Sequence, residues 1–449
     1  MNQPSERQLI RPAPPVLYRW IILVFISLAM FGNYYVYDAI APVFDLLKSQ
    51  LGYSDQQLGL LYTVYSIAAV IVLLIGGYII DRFGTRLSIF LFGVICLVAA
   101  AIIASSPQFE VMLTGRFVLG LGAEPLIVAV TTALAKWFKG KELSLAFGVN
   151  LMIARLGSFS ADLSPTWARP LYTNWQDPLW LATAIASFCV TGAILYWILE
   201  RRAERKYALE EEEATEKIEF KKLYRFDRSY WYVVGLCVVF YSVVFPFRAF
   251  AIKYFIEAHG TTREIGGLLN SLLPLAAMIA TPLFGLMVDR VGRRSWFMMA
   301  GSALLLPLFL VVTYLPPGAD ISLWLPGFGS FSVPLTLLVV MTLLGIAFSL
   351  IPAVMWPSIA YIVDQRRLGS AYALMTLCQQ AGMALIPWLI GYANDAFAAG
   401  PDNPAGYAPG MWIFTVLASF GLLFSYLLWK TETGPNAHGL ETITMKGSS

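Results

Sequence analysis

The chain has 449 residues, 58% of them hydrophobic and 13% charged, with a net charge of +3 and a mean hydropathy of +0.67. Soluble domains carry about 25% charged residues, and no aqueous fold of this size hides so much apolar surface, so lipid must be the solvent for most of it. That excludes a soluble enzyme, a nucleic-acid-binding protein and a disordered scaffold, and two histidines with four cysteines leave little material for a metal or catalytic centre.

The chain opens on MNQPSERQLIRPAPP, polar and proline-rich, with no apolar core followed by a small-residue cleavage site. The first apolar stretch is therefore expected to stay as a membrane span. About 20 apolar residues cross about 30 Å of hydrocarbon as a helix. In chain order the predicted spans are 20–37, 56–80, 87–109, 111–135, 143–165, 178–199, 229–247, 265–288, 295–319, 334–363, 368–394 and 403–429. The fourth and fifth are interrupted by charges. LPGFGSFSVP, before the tenth, reads as a loop. Cys96, Cys189, Cys237 and Cys378 fall inside spans without CxxC spacing and read as buried apolar residues. The segment 201–228 is dense in both signs of charge and includes Glu210–Glu213, so it reads as a solvated linker. With both termini cytoplasmic, 24 of the 31 Lys and Arg residues collect on the inner face. Lys48, Arg169, Lys253 and Arg263 are then outside, and Arg116, Arg155 and Arg248 lie within spans.

One motif occurs twice, 208 residues apart: Gly77 to Arg86 (GYIIDRFGTR) after the second span and Gly285 to Arg294 (GLMVDRVGRR) after the eighth. Such a repeat implies two parallel halves. The expected fold is an all-α membrane protein of twelve transmembrane helices in two pseudo-symmetric six-helix bundles. Residues 1–200 and 229–430 form the bundles, 201–228 the linker and 431–449 a cytoplasmic tail. Gly77 and Gly285 are expected to let helices approach closely. Asp81, Arg82, Arg86, Asp289, Arg290 and Arg293 are candidates for a conformational gate. The repeated element resembles the signature loop of the major facilitator superfamily, with Thr85 where an arginine is usual. Arg116, Gly120 and Gly122 resemble that superfamily's second signature, which implies a role for Arg116 in proton transfer or in bundle support.

An ionisable group inside a span costs about 2.5–3.5 kcal/mol on insertion scales, so it is a functional candidate. Glu124, followed by Pro125, and Arg155 sit near the middle of adjacent antiparallel spans, at one depth. Gly120 and Gly122 beside Glu124 suit a cavity wall. Further polar candidates are Asn33, Tyr34, Tyr37 and Asp38 on the first helix, Tyr62 and Tyr65, Asn150, Arg248, Asn270, Ser271, Gln379 and Gln380. The stretch GRFVLGLGAEPLIVAVTTALAKWFKGKELSLAFGVNLMIARLGS, and PAVMWPSIAYIVDQRRLGSAYALM farther on, are similar to the lysosomal dipeptide transporter family of that superfamily. The resemblance implies that Glu124 holds a dipeptide ammonium and Arg155 its carboxylate. A fixed anion and a fixed cation would read the zwitterion shared by all dipeptides. Tyr34, Tyr37, Asn150, Asn270 and Gln379 complete the expected binding set, and Asp38 and Arg116 are coupling candidates.

The expected activity is alternating-access uniport of dipeptides or similar zwitterions, without enzyme activity, cofactor or metal. The alternative is proton-coupled antiport or symport of drugs or other small metabolites. A multi-pass protein of a bacterial-type plasma membrane is favoured over a lysosomal one, as a monomer with or without an accessory subunit.

Overall fold

In a computed structural model of the chain, the described residues are 12, 14–138, 142–207, 226–325, 329–364, 367–435 and 437–444. The side chain of Asp81 and the middle of the expected linker, 208–225, lie outside the described residues. Long helices dominate. Helix α1 is Val16–Asp38. A continuous helical stretch, Asp55–Ser105, contains α2 (55–83) and α3 (85–105), which meet where Gly84 leaves helical geometry at φ 75°, ψ 165°. Then come α4 Phe109–Phe138, α5 Leu143–Asp162 and α6 Gln176–Lys206. After the linker follow α7 Arg228–His259, α8 Arg263–Val291 and α9 Arg294–Tyr314. Helices α10 Leu335–Ile362, α11 Leu368–Ala396 and α12 Ala408–Glu432 complete the set.

Among the described residues, eleven helices are long and apolar enough to cross a membrane. Helix α5 is the twelfth span. Its 20 residues reach about 30 Å at ~1.5 Å each, but Asn150, Arg155 and Asp162 lower its hydropathy. It tolerates them because it packs on α1 and α8 and turns the polar residues inward, leaving Leu151, Met152 and Leu156 outermost. Apolar side chains such as Ile67, Ile71, Ile75, Leu283 and Leu286 are exposed along helix flanks, as lipid contact requires.

The duplicated motif serves one geometric purpose in both halves. Gly84 and Gly292 occupy equivalent positions, and both have a positive φ, 75° and 72°. Each breaks one helix so that the next can turn back, in a conformation that opposes any Cβ. Of the glycines singled out from the sequence, the surroundings of Gly77 lie outside the described residues, and a Cβ on Gly285 would meet nothing within 4 Å, so no close helix approach occurs there. The presumed loop before α10 is a correction too. Strands β1 (Asp320–Leu325) and β2 (Gly329–Pro334) pair antiparallel into a hairpin, the one departure from an all-α fold among the described residues. Alternation in DISLWL, followed by glycines, is the signal that was there to read.

The start of α1 and the end of α12 lie on one face, since an even number of spans separates them. At the opposite, far face the two bundles are locked together. Helix α11 ends beside the start of α2, where Asp395 accepts from the backbone N–H groups of Asp55 (2.9 Å) and Gln56 (2.7 Å), capping α2 from the other half. Gly59 and Gly391 make this possible: an added Cβ would fall 2.2 Å from the Pro387 carbonyl oxygen and 2.1 Å from that of Asp55. Beneath it Lys253, counted from the sequence as an outer-loop cation, is fully buried in α7. It donates to Asp55 (2.9 Å), Glu257 (2.9 Å) and Tyr407 (2.6 Å). Arg263 pairs with Asp45 at 2.5 Å across the same interface.

Candidate functional site

Helical spacing gathers the site. On α1, Asn33, Tyr34, Tyr37 and Asp38 share one face, and on α11 Thr376, Gln379, Gln380 and Met383 do the same. These two faces, with Tyr65 of α2, Glu124 and Ile127 of α4 and Arg155 of α5, surround a central cavity of about 240 Å³. Tyr241 and Phe245 of α7 and Trp356 of α10 close it on the C-terminal side. The Trp356 indole donates to the Tyr241 hydroxyl at 3.0 Å and Tyr241 stacks on Phe245, which makes one rigid aromatic wall.

Glu124 and Arg155 both face this cavity, and no ion pair joins them. The Glu124 Oε1 accepts from the Tyr65 hydroxyl (3.0 Å) and from Gln380 Nε2 (2.9 Å), while among the described residues no side chain bonds Oε2. The Arg155 guanidinium makes no hydrogen bond among the described residues. It rests over the Tyr34 and Phe348 rings at 5.5 and 5.2 Å, with Nη1 buried and unsatisfied. A cation without a counter-ion at this depth is costly, so the site stands ready for an anionic group.

The remaining candidates divide cleanly. Tyr34, Tyr37, Asp38 and Gln379 line the cavity. Asn150 does not: its Oδ1 accepts from Ser27 Oγ at 3.0 Å, tying α5 to α1. Asn270 lies deeper, donating to Asp162 (2.9 Å) and to the Arg248 carbonyl (3.2 Å). Arg248 in turn reaches from α7 to Asp162 at 2.7 Å and Asp38 at 3.3 Å, sealing the floor of the cavity between halves. Arg116 is fully buried and committed elsewhere. It donates to the Leu61 and Tyr37 carbonyls (3.1 and 3.2 Å) and sits 4.6 Å from the Tyr62 ring, so it braces the tyrosine wall. Gly120 and Gly122 are packing residues rather than cavity wall, pressed against Tyr65 on α2 and Ile95 on α3.

On the terminus-bearing face, Arg86 and Asp289 make contacts inside their own halves. Arg86 pairs with Glu204 at 2.8 Å, and Asp289 pairs with Arg294 at 2.8 Å. Arg82 lies over Phe83. Arg290 and Arg293 are exposed, and Arg293 has a φ of 51° before α9. Arg294, rather than Arg293, is the paired member of the second copy. The hydrogen bonds and ion pairs that join the halves through Asp55, Lys253, Asp395 and Arg263 lie at the far end, and those through Gln380 and Arg248 lie at the cavity.

Two six-helix halves around one central cavity, each turning on the same glycine, match a known architecture. The profile of the Major Facilitator Superfamily covers residues 26–250 and 247–444. The chain belongs to this superfamily. Among curated relatives, it is similar to the lysosomal dipeptide transporter MFSD1 of Danio rerio, 32% identical over 85% of this chain and 81% of that protein. The human MFSD1 is 30% identical over 84% and 80% of the two chains. Among solved structures, a bacterial homologue of the human lysosomal transporter Spinster has a TM-score of 0.74 at 16% identity. That match covers 93% of this chain and 98% of the other. The superfamily consists of membrane transporters rather than enzymes, and this major facilitator protein is a multi-pass member of it.

Proposed function

We propose that this major facilitator protein carries dipeptides, or zwitterions of similar length, by alternating access. Glu124 receives the ammonium and Arg155 the carboxylate. The observation that carries the reading is the pair of unspent charges: Glu124 Oε2 and the Arg155 guanidinium face one cavity and lack protein counter-ions. Both ends of a zwitterion lose water on entry, so each needs a charged partner there. Similarity to MFSD1 proteins over most of the chain supports the same substrate class.

The halves 1–200 and 229–430, joined through 201–228, are the bodies that rock. With the termini cytoplasmic, the far-end locks support an inward-facing state. Uniport is favoured because Arg116 and Asp38, the coupling candidates, are already held by backbone carbonyls and by Arg248.

Uptake into proteoliposomes tests the reading. Wild type should take up free dipeptides, exclude N-acetyl dipeptides, and run at equal rates with and without a pH gradient. Glu124→Gln keeps the shape and removes the charge, so uptake should fall at least tenfold. Equal affinity for acetylated and free dipeptides in the wild type would leave Glu124 and Arg155 as structural residues. Uptake that required a proton gradient would replace uniport by coupled transport.

A further inference from the structure

The Glu124 carboxylate has two protein donors, and they come from opposite halves of the molecule. Tyr65 reaches Oε1 from α2 and Gln380 from α11. A carboxylate only accepts, so the Gln380 amide must turn its Nε2 to Glu124 and its Oε1 away. That Oε1 is buried and has no hydrogen-bond partner, on a side chain that lines the cavity and is 3% exposed. Leaving a buried carbonyl unsatisfied is costly. Packing alone does not ask for an amide at this position, since Met383 fills the next turn of the same face. The unsatisfied oxygen therefore marks a place where a donor arrives from outside the protein.

We propose that Gln380 Oε1 is a second acceptor for the substrate's amino group, so that the ammonium is gripped by Glu124 from one half and by Gln380 from the other. The proposal rests on the assignment of the ammonium to Glu124. A primary ammonium has three N–H donors: Glu124 Oε2 takes one, Gln380 Oε1 takes a second, and the third faces cavity water. The amide is suited to this double task, because it donates to the carboxylate and accepts from the ammonium at once. Selectivity follows from counting donors. A secondary amine, as in an N-terminal proline or an N-methyl dipeptide, has two N–H groups and satisfies both acceptors. An N,N-dimethyl amine keeps the charge but has a single N–H, and leaves Gln380 unsatisfied.

The test is a binding titration of the full-length protein in detergent with one dipeptide in four forms: free, N-methyl, N,N-dimethyl and N-acetyl. Wild type should bind the first two alike and the N,N-dimethyl form about tenfold more weakly, the worth of one hydrogen bond to a charged group. Gln380→Met, close in length and without polar atoms, removes a donor from Glu124 for every amine, and should weaken the free and N-methyl forms about tenfold more than the N,N-dimethyl form. Equal losses for all three amines would show that Gln380 acts only through Glu124, and would overturn the proposal. If the variant does not survive purification, the wild-type series decides alone, since equal binding of N-methyl and N,N-dimethyl forms overturns the proposal as well. Failure of the clamp itself reads out separately, as equal binding of the N-acetyl and free forms. A surviving N-acetyl discrimination with a flat methylation series removes Gln380 and leaves the clamp.

Discussion

Arg155 occupies a place where arginine and lysine differ most. Its guanidinium lies over the Tyr34 and Phe348 rings and makes no hydrogen bond among the described residues, so ring contacts orient its planar donor fork. A lysine ammonium would be a point charge with neither the fork nor the plane. Arg155→Lys should therefore keep the cavity's charge yet lower dipeptide uptake at least tenfold, with the unliganded melting temperature close to wild type. Uptake at the wild-type rate would show that charge suffices. At this scale the sequence was informative about Glu124 and Arg155, because the cost of burying a charge in lipid makes any such residue conspicuous. The same cost argument could not separate Arg155 from Arg116. How a buried cation is held depends on carbonyls such as those of Leu61 and Tyr37, which come from other helices and bond Nε and Nη1 of Arg116, while its Nη2 has no partner. Gln380 was visible only as one polar residue among several, since neutral amides in spans are common and their partners decide their meaning.

At the scale of elements, the contact between α2 and α11 carries a sharp expectation. Gly391 admits the first turn of α2 so closely that a Cβ would overlap the Asp55 carbonyl group, and backbone on both sides cannot retreat like a flexible side chain. Gly391→Leu should force the far ends apart and shift the carrier toward a state open at that face. A single reporter, Val43→Cys in a background with the four native cysteines replaced, is buried near the far end of α1 and measures this. Its modification by a membrane-impermeant maleimide added to the far side should accelerate about tenfold, and an unchanged rate would mean that α11 bends instead. Periodicity and charge located all twelve spans, including the polar α5, because the need for about 20 mostly apolar residues acts on each helix separately. The hairpin 320–334 escaped because short alternation next to glycines is a weak signal beside long apolar runs. The motif's essential glycine is likewise the one whose backbone turns, Gly84 and its repeat Gly292, which a reading in terms of helix packing alone passes over.

Across the whole molecule, the far-end network sets which face is closed. Lys253 satisfies three acceptors on three elements, and Asp55 collects Lys48, Lys253 and Asn394. Removing one partner of a buried pair strands the others, at a cost of about 3–5 kcal/mol in the closed state. Opening the far face hydrates the same groups and lifts that cost. Lys253→Met should therefore favour far-face opening, raising Val43→Cys labelling at least tenfold, whereas a variant as slow as the parent would make the network a packing device. The solvent, the number of helices, the two-fold repeat and the two charges at mid-span were legible along the chain. Each of these follows from transfer free energies or spacing that act along the chain. Only the tertiary structure decided which polar residues face the cavity, which are consumed holding helices together, and that Lys253, Asp55 and Asp395 bind the halves at one end. Those outcomes depend on where residues up to about 340 positions apart meet, and desolvation makes a polar group's partner, rather than its identity, the controlling term.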